Sequence, residues 1–283
     1  MMTAPELIEI PKDQRKALAK LFQDFKWNYL PDAILDGCMG RALADDDNNP
    51  QLSVLEAPSI HLSILGGDSI HPLAGRYIKH LAKFTALLFA SEDWEELVKK
   101  VHAGKLIKMP RYAFTSEKLD TVHLRKLRAQ LPDGYRLERM DLNLARQLAA
   151  ERSGFSSDHL LNFSSPQDFI ERGFGFCILA GRDIVCVATT FAICNRGIEI
   201  QINTRKKHRG KGLATVVAAQ LLIHSLENNL DPNWDAENQV SASLALKLGY
   251  TPQGTYSIYT YTGSRIMATI GQAGLKIKEW AKE

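Results

Sequence analysis

One segment of the sequence orders polar side chains, basic groups and glycines as a binding site for a phosphorylated ligand would. Residues 198–203 alternate strictly between isoleucine and polar residues. This alternation predicts a strand that carries Glu199, Gln201 and Asn203 on one face. A basic turn follows, and Gly210-Lys211-Gly212 opens an apolar helical pattern. The sequence therefore predicts a strand, a basic glycine turn and a helix, in that order.

The start of such a helix is suited to binding an anion. Its first backbone N–H groups have no helical partner, and the helix dipole concentrates partial positive charge there. Glycines at 210 and 212 let the backbone approach phosphate oxygens closely. Basic side chains surround the same turn: Arg205, Lys206, Lys207, Arg209 and Lys211. The turn is therefore a candidate pyrophosphate site.

Two familiar phosphate-binding signatures do not fit these residues. A P-loop requires Ser or Thr after its lysine, but Lys211 is followed by Gly212. The dinucleotide fingerprint requires a third small residue where this chain has Thr215. Coenzyme A is the phosphorylated ligand that remains.

The turn resembles the signature of the GNAT superfamily of N-acetyltransferases. That signature is Gln or Arg, two residues, Gly, one residue, then Gly or Ala, and Arg209 to Ala214 meets it in full. A second block is also similar to the superfamily's pattern. A short strand at Asn233 to Ala236 precedes Asn238 and a helix that ends at Gly249-Tyr250. The order and the spacing of both blocks agree with the superfamily.

The residues of these two blocks resemble most closely those of the GNAT acetyltransferases of the zwittermicin A resistance type. The likeness covers most of the chain and is strongest after about Ser165. It implies an α/β (α+β) fold, in which a C-terminal GNAT domain has a mixed, mostly antiparallel central sheet flanked by helices. It also implies transfer of an acetyl group from acetyl-coenzyme A to an amine.

The resemblance assigns the residues that would contact acetyl-coenzyme A. Backbone groups of the central strand would bind the pantetheine arm, and N–H groups of the glycine turn would bind the pyrophosphate. The expected cofactor-binding residues are Ile202, Asn203, Thr204, Arg209, Gly210, Lys211, Gly212, Leu213, Ala214 and Asn238. For Asn238, capping of the following helix is the alternative interpretation.

Catalysis requires a base, because an amine must lose a proton to attack the thioester. Glu199 is the expected catalytic base, since it lies on the polar face of the central strand at the distance before the turn that several superfamily members show. An ion pair between Glu199 and a nearby arginine is the alternative. Gln201 is the candidate contact to the acceptor substrate. Ala245 stands where many members have the tyrosine that protonates the leaving thiolate, so the role of general acid is assigned to no residue.

The sequence predicts two domains. Short apolar runs alternate with helical patterns from about residue 51, which predicts an N-terminal α/β domain of unclear role. Leu131-Pro132-Asp133-Gly134 is the strongest interruption of regular structure. We therefore expect the N-terminal domain to span residues 1–131 and the GNAT domain to span residues 132–283. No internal repeat is visible in the sequence.

Composition excludes several classes of protein. Apolar residues form 45% and charged residues 24% of the 283 residues, as in ordinary globular proteins. A net charge of +3 does not indicate a nucleic-acid partner. No apolar run is long enough for a membrane helix, and no signal peptide is recognisable, so a cytoplasmic location is expected. The eight histidines show no spacing typical of a metal site, and no metal is expected.

The function expected from the sequence is direct N-acetylation of a primary amine, with a small molecule as acceptor. An amino-bearing antibiotic is one such acceptor, which would make the chain a resistance enzyme. A non-catalytic module that binds acetyl-coenzyme A is the alternative, because Ala245 replaces the usual acid. An acetyltransferase that acts on a protein or tRNA is a further alternative. The sequence specifies neither the acceptor nor the oligomeric state.

Overall fold

The structure is a computed structural model and describes residues 6–151, 155–156 and 158–280, with the backbone alone for 276–280. The chain forms two compact units. The first contains the described residues up to Lys26, Ile34–Arg111 and the residues from Tyr256 onward. The second contains Trp27–Ala33 and Tyr112–Thr255.

The elements up to residue 115 begin with a short strand and helical turns. A 3-10 helix covers Arg15–Phe22. In chain order the elements are β1 (Ile8–Ile10), α1 (Leu30–Leu35), β2 (Arg41–Ala44), β3 (Leu52–Ala57), β4 (Leu62–Gly67), α2 (Pro72–Lys79), β5 (Thr85–Phe89), α3 (Glu92–Val101) and β6 (Leu106–Thr115).

The elements after residue 115 begin with a helix. In chain order they are α4 (Thr121–Arg128), β7 (Tyr135–Arg139), α5 (Leu142–Ala150), α6 (Pro166–Arg172), β8 (Gly175–Ala180), β9 (Asp183–Ile193), β10 (Gly197–Thr204), α7 (Leu213–Glu227), β11 (Asp231–Ala236), α8 (Gln239–Leu248), β12 (Thr251–Tyr261) and α9 (Arg265–Trp280). A 3-10 turn at Lys206–His208 lies between β10 and α7.

The sheet of the first unit has the strand order β1-β2-β3-β4-β5-β12. Its pairs are antiparallel except for β4 and β5, which run parallel. Helix α2 connects these two strands, as a parallel connection requires. One face of the sheet packs against α2 and α3 around the buried Trp94.

The sheet of the second unit has the strand order β6-β11-β10-β9-β8-β7. Its pairs are antiparallel except for β10 and β11, which α7 connects. Helix α7 carries its own apolar residues on nearly every face, and most of the helix is buried. The predicted mixed, mostly antiparallel sheet flanked by helices is therefore confirmed.

The same order of elements occurs twice along the chain. A strand and helical turns are followed by three strands, a helix, a strand, a helix and a last strand. This order covers β1 to β6 and then β7 to β12. The fold thus contains a repeat that the sequence does not display.

The compact units have other bounds than the predicted division at residue 131. Residues Tyr112–Phe114 of β6 pair with β11, and Leu124 and Leu127 of α4 belong to the core around α7. Residues Tyr259–Tyr261 of β12 pair with β5. The last strand of each repeat therefore completes the sheet that contains most of the other repeat.

Local signals in the sequence predicted several element boundaries correctly. The side chain of Ser165 accepts a hydrogen bond from the backbone N–H of Asp168, which caps α6. Helix α8 ends at Gly249, whose φ of 106° is left-handed. Both residues perform the capping roles that their types favour.

Gly197 generates a test of the packing at the start of β10. A Cβ atom added there would lie 2.1 Å from the carbonyl oxygen of Asp231 and 2.7 Å from the ring of Tyr29. Because one of these neighbours is backbone, Gly197→Ala is expected to lower the free energy of unfolding by about 1–3 kcal/mol. Urea denaturation measures this change.

The control is Gly75→Ala in α2, where an added Cβ meets no atom within 4 Å. Helix propensity predicts that this variant gains about 0.5–1 kcal/mol. A Gly197→Ala variant as stable as the native chain would show that β10 and β11 do not approach each other as closely as described.

Candidate functional site

The central strand β10 has one apolar and one polar face, as the alternation predicts. Ile198 lies in the core around α7, and Ile200 and Ile202 pack against that core. Glu199, Gln201 and Asn203 therefore point to the opposite face. There the side-chain amide of Asn203 donates a hydrogen bond to the carbonyl of Phe155 over 3.2 Å.

Strands β10 and β11 pair over only part of their length. The parallel register runs from Gly197 opposite Asp231 to Glu199 opposite Asn233, where it stops. Beyond this point β10 continues beside β9 to Thr204, whereas β11 pairs with β6. The strands therefore diverge, and we call the gap between residues 200–204 and 234–236 the β10/β11 cleft.

The register with β9 determines which backbone groups of β10 face this cleft. The N–H of Arg205 donates to the carbonyl of Val185, and the orientation alternates along an antiparallel ladder. The N–H and C=O of Asn203 are consequently directed at β9, opposite Val187. Those of Ile202 and Thr204 are directed at the cleft. The register thus supports the expected backbone contacts for Ile202 and Thr204 and does not support one for Asn203.

The glycine turn lies between the end of β10 and α7. Gly210 and Gly212 have φ values of 76° and 77°, and an added Cβ at either position meets no atom within 4 Å. The first helical bond of α7 joins the N–H of Val216 to the carbonyl of Gly212. The N–H groups of Leu213 and Ala214 precede that bond, and Gly212 has no side chain to cap them.

The basic side chains of the turn have different surroundings. Lys211 Nζ lies 3.0 Å from the hydroxyl of Tyr135, and Arg209 donates to the carbonyl of Thr204 over 3.1 Å. Both residues are exposed, as are Lys206 and Lys207. Each can add positive charge near a ligand at the helix start.

Arg205, unlike the exposed basic residues of the turn, is bound to neighbouring parts of the protein. Its guanidinium donates to Glu151 and to the carbonyl of Ile184, each over 2.5 Å, and lies 4.5 Å from the ring centre of Phe155. Arg205 therefore anchors the segment that follows α5 to the polar face of the sheet.

Glu199 is buried at the apex of the cleft, with 6% of its surface exposed. Its Oε1 accepts a hydrogen bond from the backbone N–H of Tyr29 over 2.6 Å and another from Asn233 Nδ2 over 2.8 Å. Neither partner was predicted from the sequence. Tyr29 is 170 positions away in the chain, so no local pattern could reveal this contact.

Residues Trp27–Ala33 lie over the polar face at this point, and we call them the cover segment. The hydroxyl of Tyr29 donates to Asp231 Oδ2, and Ser116 donates to Oδ1 of the same carboxylate. Arg196 lies 4.3 Å from the ring centre of Tyr29 and pairs with Asp32 at 3.5 Å. Tyr29 thus binds the cover segment to the strands through its backbone N–H, which donates to Glu199, and through its hydroxyl, which donates to Asp231.

Two buried tyrosines adjoin the carboxylates. Burial raises the pKa of Tyr29, and its hydrogen bond to Asp231 raises it further. Burial also raises the pKa of Tyr250 well above its ordinary value, with added contributions from the charges of Asp231 and Glu199. The hydroxyl of Tyr250 donates to the carbonyl of Pro232 over 2.8 Å. Both side chains are therefore neutral hydrogen-bond donors at physiological pH.

The remaining predicted positions lie on or beside α8. Asn238 caps this helix, because its Oδ1 accepts from the N–H of Ser241 over 3.1 Å. Ala245 is fully buried in the core around α7. A contact between Asn238 and a cofactor stays a prediction, as does the role of Gln201, which lies two residues beyond Glu199 on the polar face.

The first unit has no equivalent cleft between its described parallel strands. Strands β4 and β5 pair at consecutive positions from Leu62 opposite Ala86 to Leu65 opposite Phe89. The buried indole of Trp94 then donates to the carbonyl of Gly67 over 2.9 Å. The candidate site therefore belongs to the second unit.

Two further features concern ions and membranes. In residues 6–151, 155–156 and 158–280, no three His, Cys, Asp or Glu side chains are grouped as metal ligands would be. In the same described part of the chain, every helix is too short or too polar to cross a bilayer.

Comparison with known proteins identifies relatives of the whole chain. A family model described as GNAT acetyltransferase matches residues 19–259. The uncharacterized N-acetyltransferase YdfB of Bacillus subtilis (strain 168) is 31% identical over 272 residues, which cover 91% of this chain and 99% of YdfB. The residues matched by the family model include the cover segment, the cleft and the glycine turn.

Solved structures show the same relationship. A GCN5-related N-acetyltransferase-like protein from Streptococcus suis 89/1591 superimposes with a TM-score of 0.77 at 30% identity, covering 88% of this chain and 98% of that one. A tandem GNAT protein from the clavulanic acid biosynthesis pathway has a TM-score of 0.59 at 11% identity, covering 90% and 98%. At that identity the likeness concerns the fold alone.

Proposed function

Because the chain belongs to the GNAT acetyltransferase family, we propose that it moves the acetyl group of acetyl-coenzyme A to the primary amine of a small molecule. The β10/β11 cleft carries this proposal, because it opens at the buried carboxylate of Glu199 and leads toward the glycine turn. A ligand with amides along its arm and a diphosphate beyond them fits this arrangement. Acetyl-coenzyme A has this chemistry.

The cofactor-binding residues follow from this placement. The backbone groups of Ile202 and Thr204 face the cleft and would pair with the amides of the pantetheine arm. The diphosphate would accept hydrogen bonds from the N–H groups between Lys211 and Ala214, where the helix dipole adds attraction. Exposed Arg209 and Lys211 would add charge, and Asn238 would contact the cofactor from the start of α8.

Glu199 would accept the proton of the attacking amine, directly or through a water. The amine nitrogen forms a bond to the acetyl carbon, the carbon–sulfur bond breaks, and the thiolate leaves. A thiol has a pKa of about 8.5, so its thiolate can leave without an enzymic acid. Ala245 is compatible with this route, in which no tyrosine supplies a proton.

Likeness to the zwittermicin A resistance type favours an amino-bearing antibiotic as the acceptor. Gln201 lies on the same polar face as Glu199 and is the residue that we assign to the acceptor. The cover segment adjoins the same carboxylate and would form the opposite wall of the acceptor site.

The diphosphate site predicts a selective effect of Gly212→Asp. The new carboxylate would occupy the N–H groups of α7 and repel phosphate, removing two or three charge-assisted hydrogen bonds. Acetyl-coenzyme A is expected to bind on the order of 100-fold more weakly, because each such bond contributes about 1.5 kcal/mol or more. Isothermal titration calorimetry measures this affinity.

Gly181→Asp is the matched control. Gly181 has a φ of 64° and open space around an added Cβ, but it lies in the turn between β8 and β9. Both variants carry the same backbone strain and the same new charge. Equal affinities in the two variants would remove the glycine turn from the proposed cofactor site.

The proposed base predicts that Glu199→Gln is nearly inactive. Glutamine keeps the shape of the side chain and can still accept from Tyr29 and Asn233, but it cannot take the proton. Thiol release with a panel of amines is expected to fall about 10²- to 10⁴-fold. The affinity for acetyl-coenzyme A should stay within about twofold of the native value. Native turnover in this variant would exclude Glu199 as the base.

A second candidate function is a non-catalytic module that binds acetyl-coenzyme A, which the replacement of the usual tyrosine by Ala245 favours. Such a module would be stabilised against heat by acetyl-coenzyme A. It would release no thiol with any amine of the panel. The native protein distinguishes the two candidates in the same assay.

A further inference from the structure

Asn233 occupies the last paired position of β11, opposite Glu199. Only 9% of its surface is exposed. Its Nδ2 and the backbone N–H of Tyr29 both donate to Glu199 Oε1. Donors from β11 and from the cover segment thus meet at one oxygen of the carboxylate.

The orientation of the Asn233 amide follows from its neighbour. A backbone N–H can only donate, so the N–H of Tyr29 makes Oε1 an acceptor. Asn233 must therefore present its NH2 group to that oxygen. Neither donor titrates in the range where carboxylic acids ionise. Both donors are consequently present at every pH at which the enzyme is folded.

Packing alone does not account for an asparagine at this position. The residues on either side, Pro232 and Trp234, are buried, and asparagine is depleted in strands. Burying an amide costs free energy unless it is hydrogen-bonded. The bond to Glu199 provides that compensation, which ties the identity of residue 233 to the carboxylate.

We propose that Asn233 is a positioning residue that fixes the Glu199 carboxylate at the apex of the cleft and keeps it ionised. Hydrogen bonds donated to a carboxylate favour its charged form. A charged Glu199 is ready to accept a proton from the amine. The catalytic consequence rests on the proposed function, whereas the effect on ionisation does not.

Other titratable groups face Glu199 from each neighbouring element. Asp231 precedes Asn233 on β11, Tyr29 lies on the cover segment, and Tyr250 follows α8. Arg196 and Asp32 form an ion pair beside Tyr29. Burial raises the pKa of both tyrosines, so their hydroxyls stay neutral while carboxylates titrate. A glutamate-selective isotope label separates Glu199 from both aspartates.

The direct test is a pH titration by NMR of protein labelled with ¹³C at the glutamate carboxyl carbons. The Glu199 resonance is identified by its loss in Glu199→Gln. Asn233→Leu keeps the side-chain volume and removes the donor, so the titration midpoint is expected to rise by about one pH unit. Asn233→Asp places a second carboxylate opposite the first, so its midpoint should rise further.

Asn228→Leu and Asn228→Asp are the matched controls. Asn228 is exposed and donates to the carbonyl of His224 over 2.7 Å. Both controls should leave the Glu199 midpoint at its native value. If the Leu variant does not fold, Asn233→Ala removes the same donor without added bulk and takes its place in the titration. Asn233→Asp, whose rise comes from the added charge, is the positive control for detecting a shift.

Activity provides the second readout. With an amine that the panel identifies, the acid limb of kcat/KM should move to higher pH in the order native, Asn233→Leu, Asn233→Asp. The affinity for acetyl-coenzyme A should change less than about twofold.

An unmoved Glu199 midpoint in the folded variant that lacks the donor and adds no charge, Asn233→Leu or Asn233→Ala, would overturn the proposal, whatever its activity. A moved midpoint together with a fully active Glu199→Gln variant would have two consequences. It would support the effect of Asn233 on the ionisation of Glu199, and it would overturn the role of Glu199 as the base. The two claims can therefore fail separately.

Discussion

The candidate site depends on the point at which two parallel strands stop pairing. Strands β10 and β11 are held together at their start, where Gly197 leaves room for the carbonyl of Asp231. Beyond the pair of Glu199 and Asn233, each strand follows a different outer neighbour, β9 or β6. The divergence exposes one edge of β10 and places a buried carboxylate at its apex. Both the chemistry and the binding that we propose follow from this geometry.

The repeated order of elements shows how specific this feature is. The first unit also has a parallel strand pair joined by a helix, but its strands stay paired and Trp94 binds the carbonyl at the end of β4. Its connecting helix has 8 residues, whereas α7 has 15. One arrangement thus packs as a closed core and the other opens as a cleft. The first repeat contributes to the site through the cover segment, whose backbone binds Glu199.

The sequence predicted the parts of this site that are encoded locally. The alternation in β10, the glycine turn and the caps at Ser165 and Gly249 each depend on residues within a few positions, and the structure has them where expected. The contacts of Glu199 could not be predicted, because Tyr29 lies far away in the chain and an isolated Asn233 resembles any buried polar residue. The pairing of β6 with β11 and of β12 with β5 joins residues that are far apart in the chain, so no local pattern could predict it. In the first 50 residues, which contain the cover segment, no motif in the sequence indicated a catalytic or binding residue.

The most direct test of the account is a crystal structure of the protein with acetyl-coenzyme A. We expect one molecule per chain, with its diphosphate about 3 Å from the N–H groups at the start of α7 and its amides paired with Ile202 and Thr204. The acetyl carbon should then lie beside Glu199. A molecule bound between β4 and β5, or one whose diphosphate lies away from α7, would contradict the account.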